Sequence, residues 1–212
     1  EAVFSKSDGS GALETTDFVL TLQGGAATLS SATPSSISTS GNVYILGISL
    51  SGTPDGVEVL TVTLVDSAIY DAAGNIASVT QNNNSTTLFD QKAPTITSVS
   101  PSSDNSSIIV IFSEAVFSKS DGSGVLDTAD FAFSIAGGNT TLANTNPTSI
   151  SSSDSTYTLG LSLSGIPNGS EVVTVALVDN AIFDAAGIAA DTSQSSNTTN
   201  LYDQTNPVIT SV

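Results

Sequence analysis

Carboxylates are the only groups in this sequence that are both numerous and chemically reactive. Glu1, Asp17, Asp66 and Asp71 return as Glu114, Asp130, Asp179 and Asp184, each displaced by 113 residues. The loop Asp66-Ser-Ala-Ile-Tyr-Asp71-Ala-Ala-Gly74-Asn75 becomes Asp179-Asn-Ala-Ile-Phe-Asp184-Ala-Ala-Gly187-Ile188. Two carboxylates roughly 8 Å apart repel by about 2 kcal/mol at an effective dielectric near 20. Four or five gathered at one place need a cation among them. The chain sets twenty Asp and Glu against three basic residues, Lys6, Lys92 and Lys119, so that cation must come from solution. A set made only of oxygen donors favours Ca²⁺ over Zn²⁺ or Cu²⁺. Asp90, just before Pro94, belongs to the candidate ligand set. So do Asp8 and Asp121, whose Asp-Gly-Ser-Gly segments read either as ligand loops or as plain turns. The spacing is neither that of an EF-hand nor that of a glycine-rich β-helix nonapeptide.

The same inventory excludes other chemistry. With no His and no Cys, the commonest general base, the usual zinc ligands and the thiol nucleophile are missing. A formal net charge of −17 excludes nucleic acid and anionic membrane as partners, since both are held by basic residues. No apolar run reaches the roughly 18 residues that a membrane-crossing helix requires. An Asp/Glu pair can serve a glycosidase, but two copies and no cleft pattern point away from an enzyme. With 37 Ser and 27 Thr and few Lys, the composition suits an exported bacterial protein.

The elements that position these acids repeat. Eleven letters from Glu1, EAVFSKSDGSG, return at Glu114, and the offset holds without a gap to Val212, with 58 identities in 99 paired positions. A period of 113 residues is the size of a domain rather than of a solenoid unit, which runs about 20–50 residues. The chain therefore reads as a tandem array: 1–90 a repeat lacking its first strand and most of its second, 91–203 a complete repeat, and 204–212 the first strand of a following one. It is either a window cut from a longer array or a filament subunit. In the second case the segment Asn206-Pro207-Val208-Ile209-Thr210-Ser211-Val212 adds as a strand to a neighbouring copy.

Short alternating apolar runs between Gly, Asn, Ser and Pro clusters predict strands. In the second repeat these fall at 95–99, 108–117, 130–135, 140–144, 156–164, 172–178 and 200–202. No helical period is sustained. Seven antiparallel strands in about 113 residues predict an all-β chain of tandem immunoglobulin-like β-sandwiches. Alternating strand direction gathers the acids, Asp90 among them, at the pole where one unit follows another. The exit pole offers only Asp55 and Glu58. The aromatic pairs, including Phe89 with Tyr202, are expected to pack in the core or at the poles.

The Pro-Thr-Ile-Thr-Ser-Val-Ser-Pro segment from Pro94, Phe-Ser-Glu-Ala-Val and Asp-Ala-Ala-Gly-Asn resemble the bacterial immunoglobulin-like tandem repeats of large surface adhesins. They are similar also to repeats of cyanobacterial swimming-motility surface proteins. The resemblance implies an extracellular, cell-surface, non-catalytic extender with calcium-rigidified junctions. By motif it assigns Glu1, Asp17, Asp66 and Asp71 in the first repeat, and Glu114, Asp130, Asp179 and Asp184 in the second, as calcium ligands. Ile188 departs from the pattern, which has Asn there. The expected partners are neighbouring repeats or copies of the chain itself. The alternative reading is an accessory carbohydrate- or cell-binding module of a secreted protein.

Overall fold

The computed structural model describes residues 1–209, and its chain divides into two compact units, Glu1–Lys92 and Ala93–Val212. Every regular element is a strand apart from a 3-10 turn in each unit, Thr15–Asp17 and Thr128–Asp130. Among the described residues no helix is long and apolar enough to cross a membrane.

Unit 1 contains β1 (Val3–Phe4), β2 (Phe18–Gln23), β3 (Thr28–Leu29), β4 (Ser36–Ser40), β5 (Val43–Gly47), β6 (Leu50–Ser51), β7 (Val59–Leu64), β8 (Tyr70–Asp71) and β9 (Ser85–Thr87). They pair as a three-stranded sheet β2-β7-β9 and as the two-stranded pairs β4-β5, β3-β6 and β1-β8. Unit 2 contains β10 (Ile96–Pro101), β11 (Ser107–Phe112), β12 (Phe131–Ala136), β13 (Thr141–Leu142), β14 (Ile150–Ser153), β15 (Thr156–Gly160), β16 (Leu163–Ser164), β17 (Val172–Leu177) and β18 (Thr198–Asn200). Its sheets are β10-β11-β15-β14, β12-β17-β18 and β13-β16.

The pleat explains the core of unit 2, because alternate residues face one side of a strand. Ile108, Val110 and Phe112 of β11 turn inward, as do Tyr157 and Leu159 of β15. From the other sheet come Phe131 and Phe133 of β12 with Val173, Val175 and Leu177 of β17, and all ten are buried in one cluster. Phe112 meets Tyr157 edge-on with ring centroids 5.6 Å apart, and Phe131 lies 6.4 Å from Phe112. Two sheets sharing one apolar core are consistent with a β-sandwich. In unit 1 the corresponding cluster has only Leu13, Phe18 and Ile69 fully buried, with Tyr44, Leu46, Val62 and Leu64 half-buried around them.

Several strand boundaries differ from the sequence expectation. The run expected at 156–164 is two strands, because the chain changes partners after Gly160. Its N–H donates to the carbonyl of Ser149 and its carbonyl accepts from Thr148, both at 2.9 Å. Beyond it, β16 pairs with β13. A Cβ on Gly160 would lie 2.5 Å from Ser149 Oγ, so only glycine admits this approach. The expected 108–117 strand ends at Phe112, and Phe117 instead bridges Phe183. Strand β14 has no counterpart in the expected set. Phe89 and Tyr202 do not pack inward: they are 89% and 53% exposed.

Candidate metal centre

Phe117 N–H donates to the Phe183 carbonyl at 2.7 Å, and Phe183 N–H returns a bond to Phe117 at 2.8 Å. This reciprocal pair ties the segment after β11 to the loop after β17. It brings Glu114 and Asp184 together, with one carboxylate oxygen of each within 4.8 Å of the other. Glu114 is half-buried and Asp184 fully buried. Two unit charges at that separation repel by about 3 kcal/mol at an effective dielectric near 20.

The Asp184 loop is closed locally. Asp184 Oδ1 accepts from Ile188 N–H at 2.8 Å, and Asp184 N–H donates to the Ile188 carbonyl at 3.0 Å. Gly187 has φ +86°, and a Cβ there would come 2.3 Å from the Ser120 carbonyl oxygen. The second oxygen, Asp184 Oδ2, is buried with no hydrogen-bond partner. A buried polar atom without a partner is costly and rare.

Unit 1 shows how the same loop is otherwise satisfied. Asp71 Oδ1 accepts from Ala73 N–H and Asn75 N–H, both at 2.8 Å, and Oδ2 accepts from the Asn75 side-chain amide at 2.7 Å. That amide, aided by backbone donors, holds the Asp71 carboxyl below its ordinary range. Ile188 replaces Asn75 in the second copy, and with it goes the donor to Oδ2. The Asn-to-Ile change thus leaves one carboxylate oxygen unsatisfied beside Glu114.

The other sequence candidates lie in different surroundings. Asp17 Oδ2 and Asp130 Oδ2 accept from the backbone N–H of Glu14 (2.8 Å) and Asp127 (2.7 Å), closing capping boxes around the 3-10 turns. Burial, offset in part by that backbone bond, raises the Asp130 carboxyl. Asp8 and Asp121 accept from the N–H and hydroxyl of Ser10 and Ser123, which makes both Asp-Gly-Ser-Gly segments hydrogen-bonded turns. Glu1, Asp66 and Asp179 are exposed, and Asp179 Oδ2 accepts from the Asn180 side chain at 3.0 Å. Asp90 Oδ1 accepts from Lys92 N–H at 2.9 Å. Among the described residues, no group of three acids with ligand atoms within 4.8 Å includes Asp121, Asp130 or Asp179.

The least expected acids are Glu58 and Glu171, both completely buried. Glu171 Oε1 accepts from Asn139 N–H (3.0 Å) and Thr140 N–H (3.3 Å), and Oε2 from Asn168 N–H (3.0 Å). Glu58 repeats this with Ala26, Ala27 and Asp55. Burial pushes both carboxyls up, but the backbone donors together outweigh it and hold them below their ordinary value. They pin loops and bind nothing external. The sequence signal is a Gly-Gly pair about 33 residues upstream: a Cβ on Gly138 would lie 2.0 Å from Glu171 Oε1. Asn105 was likewise unforeseen. Its side chain donates to the Tyr202 carbonyl (2.8 Å) and accepts from Tyr202 N–H (3.0 Å), fastening the β10–β11 turn to the chain after β18.

Comparison of the chain with protein-family models, curated proteins and solved structures finds no match.

Proposed function

We propose that this chain is a structural, non-catalytic, calcium-binding pair of immunoglobulin-like repeats from an extracellular bacterial adhesin or surface filament, acting as a rigid extender. The observation that carries the reading is the buried, unpartnered Oδ2 of Asp184 beside the Glu114 carboxylate. Burying a charge without a partner is strongly unfavourable. With three Lys in 212 residues, the chain has little cationic charge of its own to offset it. A divalent cation on these two carboxylates would turn the repulsion into attraction. Calcium takes six to eight oxygen ligands in a flexible geometry, so backbone carbonyls and water can complete the shell.

Calcium titration by calorimetry tests the reading, using the full chain, Asp184→Asn and Asp130→Asn. Asp184→Asn should lose the binding heat of one site. Asp130→Asn should keep it, because the Asp130 oxygen is occupied by the Asp127 N–H. No binding heat in the native chain, or an unchanged isotherm for Asp184→Asn, would overturn the reading.

A further inference from the structure

Strand β11 of unit 2 lies between β10 and β15. It pairs with β15 through Ser107↔Gly160, Ile108↔Leu159, Ile109↔Thr158, Val110↔Tyr157 and Ile111↔Thr156. In unit 1 the offset of 113 makes β5 the counterpart of β15, and β4 that of β14. There β4 and β5 form a two-stranded sheet, so among the described residues one edge of β5 has no strand against it. The apolar wall beside that edge is the same in both units. Tyr157, Leu159, Val175 and Leu177 are buried beneath β11, whereas Tyr44, Leu46, Val62 and Leu64 stay half-buried. The outward positions differ: Thr156 and Thr158 correspond to Val43 and Ile45, which are 61% and 63% exposed. An open strand edge beside an apolar wall is a template for another strand.

We infer that unit 1 binds an extended polypeptide strand of the β11 type, antiparallel along the open edge of β5. The register in unit 2 defines the occupant. A branched apolar residue sits opposite Leu46 and another opposite Tyr44, with an aromatic two positions further on, as Ile108, Val110 and Phe112 do against β15. Because β5 carries Ile45 and Val43 outward, the occupant is apolar on that face as well, as β11 is at Ile109 and Ile111. Cross-strand apolar pairs of this kind stabilise a sheet. The segment 206–212, expected above to add to a neighbouring copy, is not this occupant. It aligns with 93–99 and so with β10, which in unit 2 pairs with β11 and not with β15. Its residues 210–212 also lie outside the described part of the chain.

The test adds a labelled peptide of residues 106–114, Ser-Ser-Ile-Ile-Val-Ile-Phe-Ser-Glu, to the full chain. Binding is read by fluorescence anisotropy and its location by hydrogen exchange. Saturable binding with slowed exchange across residues 43–47 is expected. The same peptide carrying Val110→Asp should bind about tenfold more weakly or worse, having lost one buried valine. Absence of saturable binding, equal affinity for the Val110→Asp peptide, or slowed exchange confined to segments other than 43–47 would overturn the inference.

Discussion

Glu171 offers the sharpest test of how these units are held together. Its carboxylate collects three backbone N–H donors from two loops, two on Oε1 and one on Oε2. Replacing it by Gln keeps an oxygen for Asn139 and Thr140 but turns an NH₂ group toward the Asn168 N–H, donor against donor. One bond to a charged group is lost, and such bonds contribute about 1.5–3 kcal/mol. A loss of about 2 kcal/mol should lower the melting midpoint of a domain this size by about 8 °C. Glu171→Ala removes all three bonds, leaves the buried Thr140 N–H unpaired and should cost more. The carboxyl is held below its ordinary value in the folded state. Its stabilisation is therefore present above the unfolded pKa, near 4.3, and is lost as pH falls through the folded pKa. The midpoint gap between native chain and Glu171→Gln should be full at pH 7 and narrow below about pH 4. Circular-dichroism melts across pH, with exchange rates at Asn139 and Thr140, supply the assay. Coincident melts at pH 7, or a gap that widens in acid, would refute the reasoning.

Three further outcomes follow. Ile188→Asn should restore to Asp184 Oδ2 the amide donor that Asn75 gives Asp71, raising stability in chelator while weakening calcium affinity; paired melts and titrations check both. Leu159→Ala should cost about 2–5 kcal/mol, as large-to-small changes in a packed core do, whereas Leu46→Ala should cost less because Leu46 is only half-buried; denaturant melts of the two variants compare them. The hydroxyls of Ser102 and Ser106 hold the Asp104 carboxyl at about 2, so the order it gives the β10–β11 turn should persist to mild acid and fade only toward that pH, as exchange at Ser106 would record.

The long inward-facing strands were legible because their periodicity reports burial directly: β12 and β17 begin and end within a residue of the expected runs. Strand β14 was not legible, since Ile150-Ser-Ser-Ser153 carries one apolar residue. It is an edge strand held by its backbone, which leaves no hydrophobic pattern to read. The acids divide for a similar reason. Asp17 and Asp130 look like Asp71 and Asp184 in the sequence, but a 3-10 capping box occupies the former. The meeting of Glu114 with Asp184 rests on one isolated backbone pair, Phe117 with Phe183. Glu58 and Glu171 read as solvated loop acids because their partners are main-chain groups, which composition does not reveal.

The most direct measurement of the central claim is thermal unfolding of the full chain in millimolar calcium and in chelator. Calcium that binds the folded Glu114–Asp184 pair and not the unfolded chain adds RT ln(1 + [L]/Kd), about 2.7 kcal/mol at a hundredfold excess over Kd. The account predicts a midpoint for unit 2 that rises with calcium in the native chain and stays fixed in Asp184→Asn. Equal midpoints in calcium and chelator for the native chain would contradict it.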